Sequence, residues 1–378
     1  MPIDIFANQN RSSKIFNAKF LELRDSASFS PARGIIRELQ QEFVDLDGNF
    51  VEQLQTTAFD SRLFELYIFA MLREAGHELD RTENRPDFLI KKDGIVAAVE
   101  VVTANPPNRK EKIKISEIAR TRKQRNDYLV NTVAIRLGSP LYSKLNMKYW
   151  ELPHVGEMPL VLAIQDHHAV DSFMVSSAAL VRYLYGMGQR PHYDACGRLT
   201  PVKHPIAEHK DGNKRIPSNF FGLPNAERIS AVLFCNVGTA DKFNRIGHQG
   251  EHRAPNMAIV HSGTCLGRDS NSIAPDVFAY EVGGSDWETE SWAQGTVLLR
   301  NPNALHPLPK GWLGAPVEQN LVDEKLEAYL QGGFHLYRSH TDILMGPNAT
   351  TEEVLKHLKH RLRVLCSKNP GSEPRRSV

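Results

Sequence analysis

Apolar residues of this chain follow a helical period in some segments and a strand period in others. In SRLFELYIFAMLREAGHELD, residues 61–80, they recur every three to four positions, and Gly76 stands where such a helix would end. The following runs HELDR, DFLIKK and IVAAVEVVTAN are short and read as three strands. Between the last two, Asp93-Gly94 is a strong hairpin signal, because both residues tolerate positive φ. The pattern predicts a helix, a weak strand and a β-hairpin.

Similar patterns continue along the chain. Ser30-Pro31 and Ser139-Pro140 each combine a capping residue with a proline suited to the first helical turn, so each predicts a helix start. The run MPLVLAIQDHH predicts a buried strand. Later segments predict a helix in SSAALVRYLYG, strands in RISAVLFCN, NMAIVHSG, VFAYEVG and GTVLLRN, and a last helix in TTEEVLKHLKHRLRVLC. An α/β protein is therefore expected.

Composition excludes only a few classes of protein. With 46 Lys and Arg against 44 Asp and Glu the net charge is +2, so the whole-chain charge does not indicate a partner. The four cysteines are too widely spaced for a zinc knuckle and too few for a disulfide framework. No signal peptide or membrane span is visible, and we expect a cytoplasmic protein without a membrane partner.

Two acids stand inside the predicted hairpin. If Asp93-Gly94 is a two-residue turn, Lys92 faces Ile95 and Asp87 falls directly opposite Glu100. Two carboxylates this close repel each other, so a positive group should lie between them. A hard divalent cation suits this place, since Mg²⁺ is commonly held by one or two carboxylates, waters and phosphate oxygens.

Glu65 adds a third acid. It stands beside apolar residues of the predicted helix, where a carboxylate is costly to desolvate unless it is paired or bound to a metal. We expect it to share the metal site with Asp87 and Glu100. An ion pair with Arg62 or Arg73 is the alternative.

A helix with Glu65, a strand that starts with Pro86-Asp87 and a strand with Glu100, followed by a helix and a strand, resemble the PD-(D/E)xK nuclease superfamily, the fold of many restriction enzymes. The resemblance covers about residues 61–170 and implies a Mg²⁺-dependent endonuclease, with Mn²⁺ as a substitute ion. The stretches YWELPHV and NPNALHPLP are also similar to ones in uncharacterised bacterial proteins, which implies no activity.

The chain departs from the family pattern at one position. The family's lysine, two residues after the second acid, is Val102 here. Some members carry this cation on the following helix, so Lys144 is the preferred replacement and Lys148 the second choice. The resemblance thus implies Glu65, Asp87, Glu100 and Lys144 as catalytic residues, the three acids being the metal ligands.

The implied fold is a restriction-endonuclease-like mixed sheet flanked by helices. The expected segments are an N-terminal helical part (1–60), a nuclease-like core (61–170), an α/β extension packed on the same core (171–365) and a flexible tail (366–378). Residues 187–225, rich in Pro, His and Lys, are expected to form a surface insertion within that extension.

A basic stretch follows the hairpin. Its positive charges would neutralise phosphates, so we expect contact with nucleic acid, DNA in preference to RNA, through Arg109, Lys110, Lys112, Lys114, Arg120, Arg122 and Lys123. A solvated helix is the alternative. A homodimer is one option for the assembly.

Three functions remain open. The first is a nuclease, with restriction or phage defence as its role by analogy. The second is a catalytically inactive nucleic-acid-binding or scaffold protein, and the third is a hydrolase whose chemistry lies in the C-terminal half. His167 or His168 after the buried strand are candidates for a base or a ligand, although satisfied loop histidines are commoner. His204, His209, His248 and His252 are interpreted as surface residues, and Cys265 as structural.

Overall fold

The computed structural model describes residues 4–7, 16–45, 48–106, 114–331 and 334–375, and it divides into two compact units. Unit 1 comprises Met1–Glu74, Val237–Gln294 and Leu336–Val378. Unit 2 comprises Ala75–Asn236 and Gly295–His335.

Both units contain helices and strands. The α-helices of the described residues are α1 (Ala18–Asp25), α2 (Ser30–Glu42), α3 (Phe50–Gln55), α4 (Phe59–Glu74), α5 (Ile115–Ile118), α6 (Arg122–Asp127), α7 (Ala134–Leu145), α8 (Ala178–Tyr185), α9 (Ala240–Gln249) and α10 (Thr351–Lys368). The strands are β1 (Glu78–Asp80), β2 (Phe88–Lys92), β3 (Ile95–Ala104), β4 (Leu160–Asp166), β5 (Met187–Arg190), β6 (Val202–Pro205), β7 (Glu208–Asp211), β8 (Lys214–Pro217), β9 (Ala231–Cys235), β10 (Met257–Cys265), β11 (Asp276–Glu281), β12 (Thr296–Arg300), β13 (Val317–Val322), β14 (Lys325–Leu330) and β15 (Leu336–Met345).

Unit 2 is built on a mixed sheet. Its described strands have the order β1-β2-β3-β4-β9-β12-β13-β14. The pairs β1–β2 and β2–β3 are antiparallel, β3–β4 and β4–β9 are parallel, and β9–β12 is antiparallel again. The predicted α/β class, a mixed sheet flanked by helices, is therefore confirmed. Strands β9 and β12, from the segment after residue 171, also belong to this sheet.

The centre of the unit 2 sheet is apolar on both faces. Every residue of β4 (LVLAIQD) is buried, as expected for a strand between two parallel neighbours. Helices α7 and α8 cover one face, where Leu137 and Leu141 pack in one cluster with Leu162 and Ile164. This face carries the candidate site described below.

Helix α7 begins earlier than its sequence predicts. A π-helical turn at Tyr128–Val133 leads directly into α7 at Ala134, so Pro140 lies inside the helix and not at its start. The Ser139 hydroxyl donates to the carbonyl of Ile135, one turn back, and does not cap the helix. The prediction of a start at Ser139-Pro140 was wrong, because proline removes one backbone donor without ending a helix whose apolar face is buried.

Unit 1 holds a separate sheet. Its described strands pair antiparallel in the order β11-β10-β15, and β10 is buried along its whole length. Helix α10 contributes Val354 and Leu358 to an apolar cluster with Ala258 and Val260 of β10. Where the sequence predicted a flexible tail, α10 continues to Lys368 and Pro374 forms a bridge with Val277 of β11.

Helix α4 belongs to unit 1. Its Tyr67 packs against Trp292 and donates to the carbonyl of that residue at 2.7 Å, while Phe69 meets Phe43 edge-on. The expected core 61–170 is therefore divided between the units, because apolar residues distant in sequence bury α4. None of the described helices is long and apolar enough to cross a membrane.

Candidate functional site

The turn of the β2–β3 hairpin has the predicted form. Asp93 and Gly94 adopt φ of 51° and 76°, and Lys92 pairs with Ile95. Positive φ at both turn residues matches the twist of the flanking strands, which is why Asp-Gly favours this hairpin. The predicted register is confirmed.

This register brings Asp87 and Glu100 to opposed positions. Phe88 pairs with Val99, and the two acids stand one position further along the hairpin. Glu100 is 4% exposed, and Asp87 is half-buried. Oδ2 of Asp87 accepts a hydrogen bond from the backbone N–H of Val101 at 2.7 Å, which ties Asp87 to β3 beside Glu100.

Lys144 reaches Glu100 from the covering helix. Its Nζ forms an ion pair with Oε1 of Glu100 across the face of the sheet that α7 covers. The Lys144 side chain remains 27% exposed, while that of Glu100 is 6% exposed. Lys148, the second choice, instead pairs with Glu151 at 3.0 Å near the surface. The preferred replacement lysine therefore contacts one of the two acids.

Tyr149 is a member of this group that the sequence did not single out. Burial raises its pKa well above the usual value, and the charges of Glu100 and Asp87 raise it further, so the hydroxyl is close to both acids. Among the described residues, however, no hydrogen bond of standard geometry reaches the Tyr149 hydroxyl or Oε2 of Glu100. The only sequence signal was its place in KYW, five residues after Lys144.

Asp87 and Glu100 suit a Mg²⁺ ion that is shared with a substrate. Hard oxygen donors are the ligands Mg²⁺ takes, and one or two carboxylates are typical when substrate phosphates and waters complete its shell. The buried Oε2 of Glu100 is a further group that a cation would satisfy. Within the described ranges, no group of three or more His, Cys, Asp or Glu side chains could hold a metal ion alone.

Glu65 has a partner of its own. It lies on α4 in unit 1, is 4% exposed, and its Oε2 stands 2.5 Å from the guanidinium of Arg62. This is the alternative that the sequence left open. Of the three acids, Asp87 and Glu100 are the two that the hairpin register brings together.

The basic stretch is described only in part. Arg109, Lys110, Lys112 and the side chain of Arg122 lie outside the described part of the structure. Those of Lys114, Arg120 and Lys123 are exposed around the short helices α5 and α6. They can be reached from solvent, as contact with nucleic acid requires.

A second polar group lies at the end of β4. Ala104 pairs with Asp166, which confirms that a crossover brings this end beside the end of the Glu100 strand. Nδ1 of His168 lies 2.6 Å from Oδ1 of Asp166, and Nε2 lies 2.7 Å from the Tyr128 hydroxyl. Both ring nitrogens of His168 therefore have a hydrogen-bond partner. This fits the alternative interpretation of a structural histidine and not a metal ligand or a base.

Two other histidines differ from their interpretation as surface residues. His209 and His248 are both fully buried. His209 bridges the Val130 carbonyl and the Ser218 hydroxyl. Cys265 is also buried, in agreement with a structural role.

Comparisons with protein-family models, with curated proteins and with solved structures find no match to the chain. No relative therefore assigns a role to any residue.

Proposed function

We propose that this protein is a Mg²⁺-dependent nuclease that hydrolyses phosphodiester bonds, with DNA as the expected substrate, at a site formed by Asp87, Glu100 and Lys144. The observation that carries the proposal is the ion pair of Lys144 with Glu100, at the point where the hairpin register aligns Glu100 with Asp87. Two acids and a lysine with the strand order described above are the features shared with a restriction-endonuclease-like core.

Asp87 and Glu100 would hold the Mg²⁺ ion. When bound, the ion supplies a water of lowered pKa and neutralises charge on the scissile phosphate. The hydrogen bond from Val101 fixes the direction of Asp87, and burial fixes that of Glu100. Both carboxylates are thus held before a substrate arrives, which avoids reorganisation during the reaction.

Lys144 would act on the substrate phosphate. An ammonium group has three donors, and the ion pair with Glu100 uses one of them. Because the side chain is partly exposed, the remaining donors can reach a phosphate oxygen or the attacking water. Lys144 would then supply the charge that Val102 cannot.

Cleavage of supercoiled plasmid DNA by the full chain tests this proposal. Mg²⁺ or Mn²⁺ should support nicking and EDTA should abolish it. Asp87→Asn, Glu100→Gln and Lys144→Met should each lower the rate at least about a hundredfold, because each removes a group that stabilises charge in the transition state. Circular dichroism should show each variant folded.

The neighbouring pair Lys148–Glu151 supplies matched controls. Lys148→Met and Glu151→Gln change the same residue types a few positions away, and both should cleave like the unmodified protein. Salt-dependent DNA binding without cleavage in either ion would favour the inactive binding protein. Cleavage that survives all three site substitutions would favour chemistry in the C-terminal half.

A role in restriction or phage defence is proposed by analogy with the superfamily. Cells that express the protein should then lower the plating efficiency of phage, and cells that express Glu100→Gln should not. Equal plating on both would contradict this role and leave the cleavage proposal intact.

A further inference from the structure

Tyr149 lies in a single helical turn, Tyr149–Glu151, that follows α7. Its side chain is 1% exposed and packs in the same apolar cluster as Leu145 and Leu162. The ring is therefore fixed by packing, while its hydroxyl lies near enough to Glu100 and Asp87 for their charges to raise its pKa. A rigid ring with one polar end is well suited to orient a neighbouring group.

Two buried oxygens of this site lack a standard hydrogen bond among the described residues. They are the Tyr149 hydroxyl and Oε2 of Glu100, and the two side chains lie close enough for the charge of Glu100 to raise the pKa of Tyr149. Buried polar groups are almost always satisfied, and exceptions indicate an unseen ion or water or a functional role. The hydroxyl can be satisfied by donating to the Glu100 carboxylate, and Oε2 can be satisfied by a bound cation.

We propose that Tyr149 is a positioning residue, whose hydroxyl donates to Glu100 and holds its Oε2 towards a divalent cation shared with Asp87. This inference rests on the proposed function. It extends that function, because it names a residue that sets the cation affinity without itself being a ligand. Groups that orient metal ligands typically change metal affinity by about 10–100-fold when they are removed.

Packing alone would give a different expectation. If Tyr149 only fills space beneath α7, Tyr149→Phe keeps the ring and should leave cation binding unchanged. If the hydroxyl orients Glu100, the same substitution should weaken binding while the fold is retained. Tyr149→Phe therefore distinguishes the two roles, because it removes only the hydroxyl oxygen.

Cation binding to the full chain, without nucleic acid, is the readout. Mn²⁺ affinity measured by calorimetry should fall roughly tenfold in Tyr149→Phe. Bound Tb³⁺, excited through a nearby tyrosine, should emit in the unmodified protein and lose most of this emission in Tyr149→Phe at saturating Tb³⁺. Tyr142→Phe is the matched control, since Tyr142 is 51% exposed on α7, and it should change neither signal. Glu100→Gln should abolish both.

The outcomes distinguish the two proposals. Wild-type affinity and emission in Tyr149→Phe would overturn the role of Tyr149 and leave the cation site standing. If neither Mn²⁺ nor Tb³⁺ binds in a way that requires Glu100, the proposed function itself is overturned.

A measurement without the Tyr149 substitution guards against a variant that fails to fold. In protein labelled with fluorotyrosine, one equivalent of Mn²⁺ should broaden one buried tyrosine resonance first, and Glu100→Gln should prevent this. Uniform broadening of all resonances would contradict the proposal.

Discussion

Glu290 is a buried carboxylate that two buried cations share. Nζ of Lys242 lies 2.6 Å from one of its oxygens, and Arg245 donates to both oxygens at 2.8 and 3.0 Å. The three residues are no more than 3% exposed. Burial would raise the pKa of Glu290, but the charges of Arg245 and Lys242 outweigh this and lower it far below its usual value. The carboxylate therefore stays charged in the interior of unit 1.

Glu290→Gln should destabilise the protein by about 3–5 kcal/mol, because it leaves two buried cations without a counter-charge. The urea midpoint, followed by circular dichroism, measures this loss. Glu38→Gln is the control in the same unit, since its carboxylate is 58% exposed and pairs with His252 near the surface. It should change stability by less than about 1 kcal/mol. Equal midpoints for Glu290→Gln and Glu38→Gln would show that the buried group contributes no net stability.

Single residues could be predicted where a local signal sets their geometry. The opposed Asp87 and Glu100 follow from the Asp93-Gly94 turn, since a two-residue loop fixes the register. Tyr149 and Glu290 could not be found this way, because their roles come from contacts 45 or more positions away. Lys144 was found through the family resemblance and not through its spacing.

Besides its apolar contacts, helix α10 forms ion pairs with one acid of β15. Asp342 lies 3.1 Å from Nε2 of His340, from Nε2 of His357 and from Nε of Arg361. Burial alone would raise the pKa of Asp342, but the hydrogen bonds from both histidines and the charge of Arg361 outweigh it and lower this pKa to about 2. The ordinary value is 3.8. Because this pKa is lowered in the folded state, the contribution of Asp342 to stability depends on pH in the acid range.

The direction of this linkage follows from the two pKa values. Because the folded state binds the Asp342 proton less tightly than the unfolded state, the stabilisation is complete above about pH 4 and is lost as the pH falls through 2. It is worth on the order of 1–2 kcal/mol. Thermal melting between pH 5 and 2 should therefore show a smaller decrease for Asp342→Asn than for the unmodified protein. Parallel decreases would contradict the role of Asp342.

Elements with a strong apolar period were predictable, and their exact limits were not. Strand β4 and helix α4 appear where the sequence predicts them, because burial dominates both. The start of α7 was missed, since Pro140 resembles a start signal although it lies within the helix. Strands β13, β14 and β15 were not predicted, because exposed residues such as those of β14 give no clear apolar pattern.

At the scale of the molecule, the division into units could not be read from the sequence. Both units are assembled from separated segments, and strands after residue 230 join the sheet that starts before residue 100. Sequence patterns report neighbours along the chain, whereas strand order depends on pairing between distant segments. The expected consecutive segments therefore do not coincide with the units.

The described part of the basic stretch makes a prediction on nucleic-acid binding. The slope of log K against log salt is negative, and removal of three phosphate contacts reduces its magnitude by up to about 2.7. Lys114→Ala, Arg120→Ala and Lys123→Ala together should therefore weaken DNA binding and reduce this slope, measured by fluorescence anisotropy in increasing NaCl.

A control with equal charge loss separates contact from net charge. Arg190, Arg198 and Lys325 are exposed in the same unit, and their replacement by alanine should leave most of the slope unchanged. An equal loss in both triple variants would show that only the overall charge matters, and the basic stretch would then be a solvated surface.

Anomalous diffraction from crystals of the full chain grown with Mn²⁺ tests the central claim most directly. Mn²⁺ accepts the oxygen ligands that suit Mg²⁺ and can be located by its anomalous signal. The account predicts a peak within metal–oxygen bonding distance, about 2.0–2.6 Å, of both Asp87 and Glu100. Saturating Mn²⁺ without a peak there, with Glu100 bound only to Lys144, would contradict it.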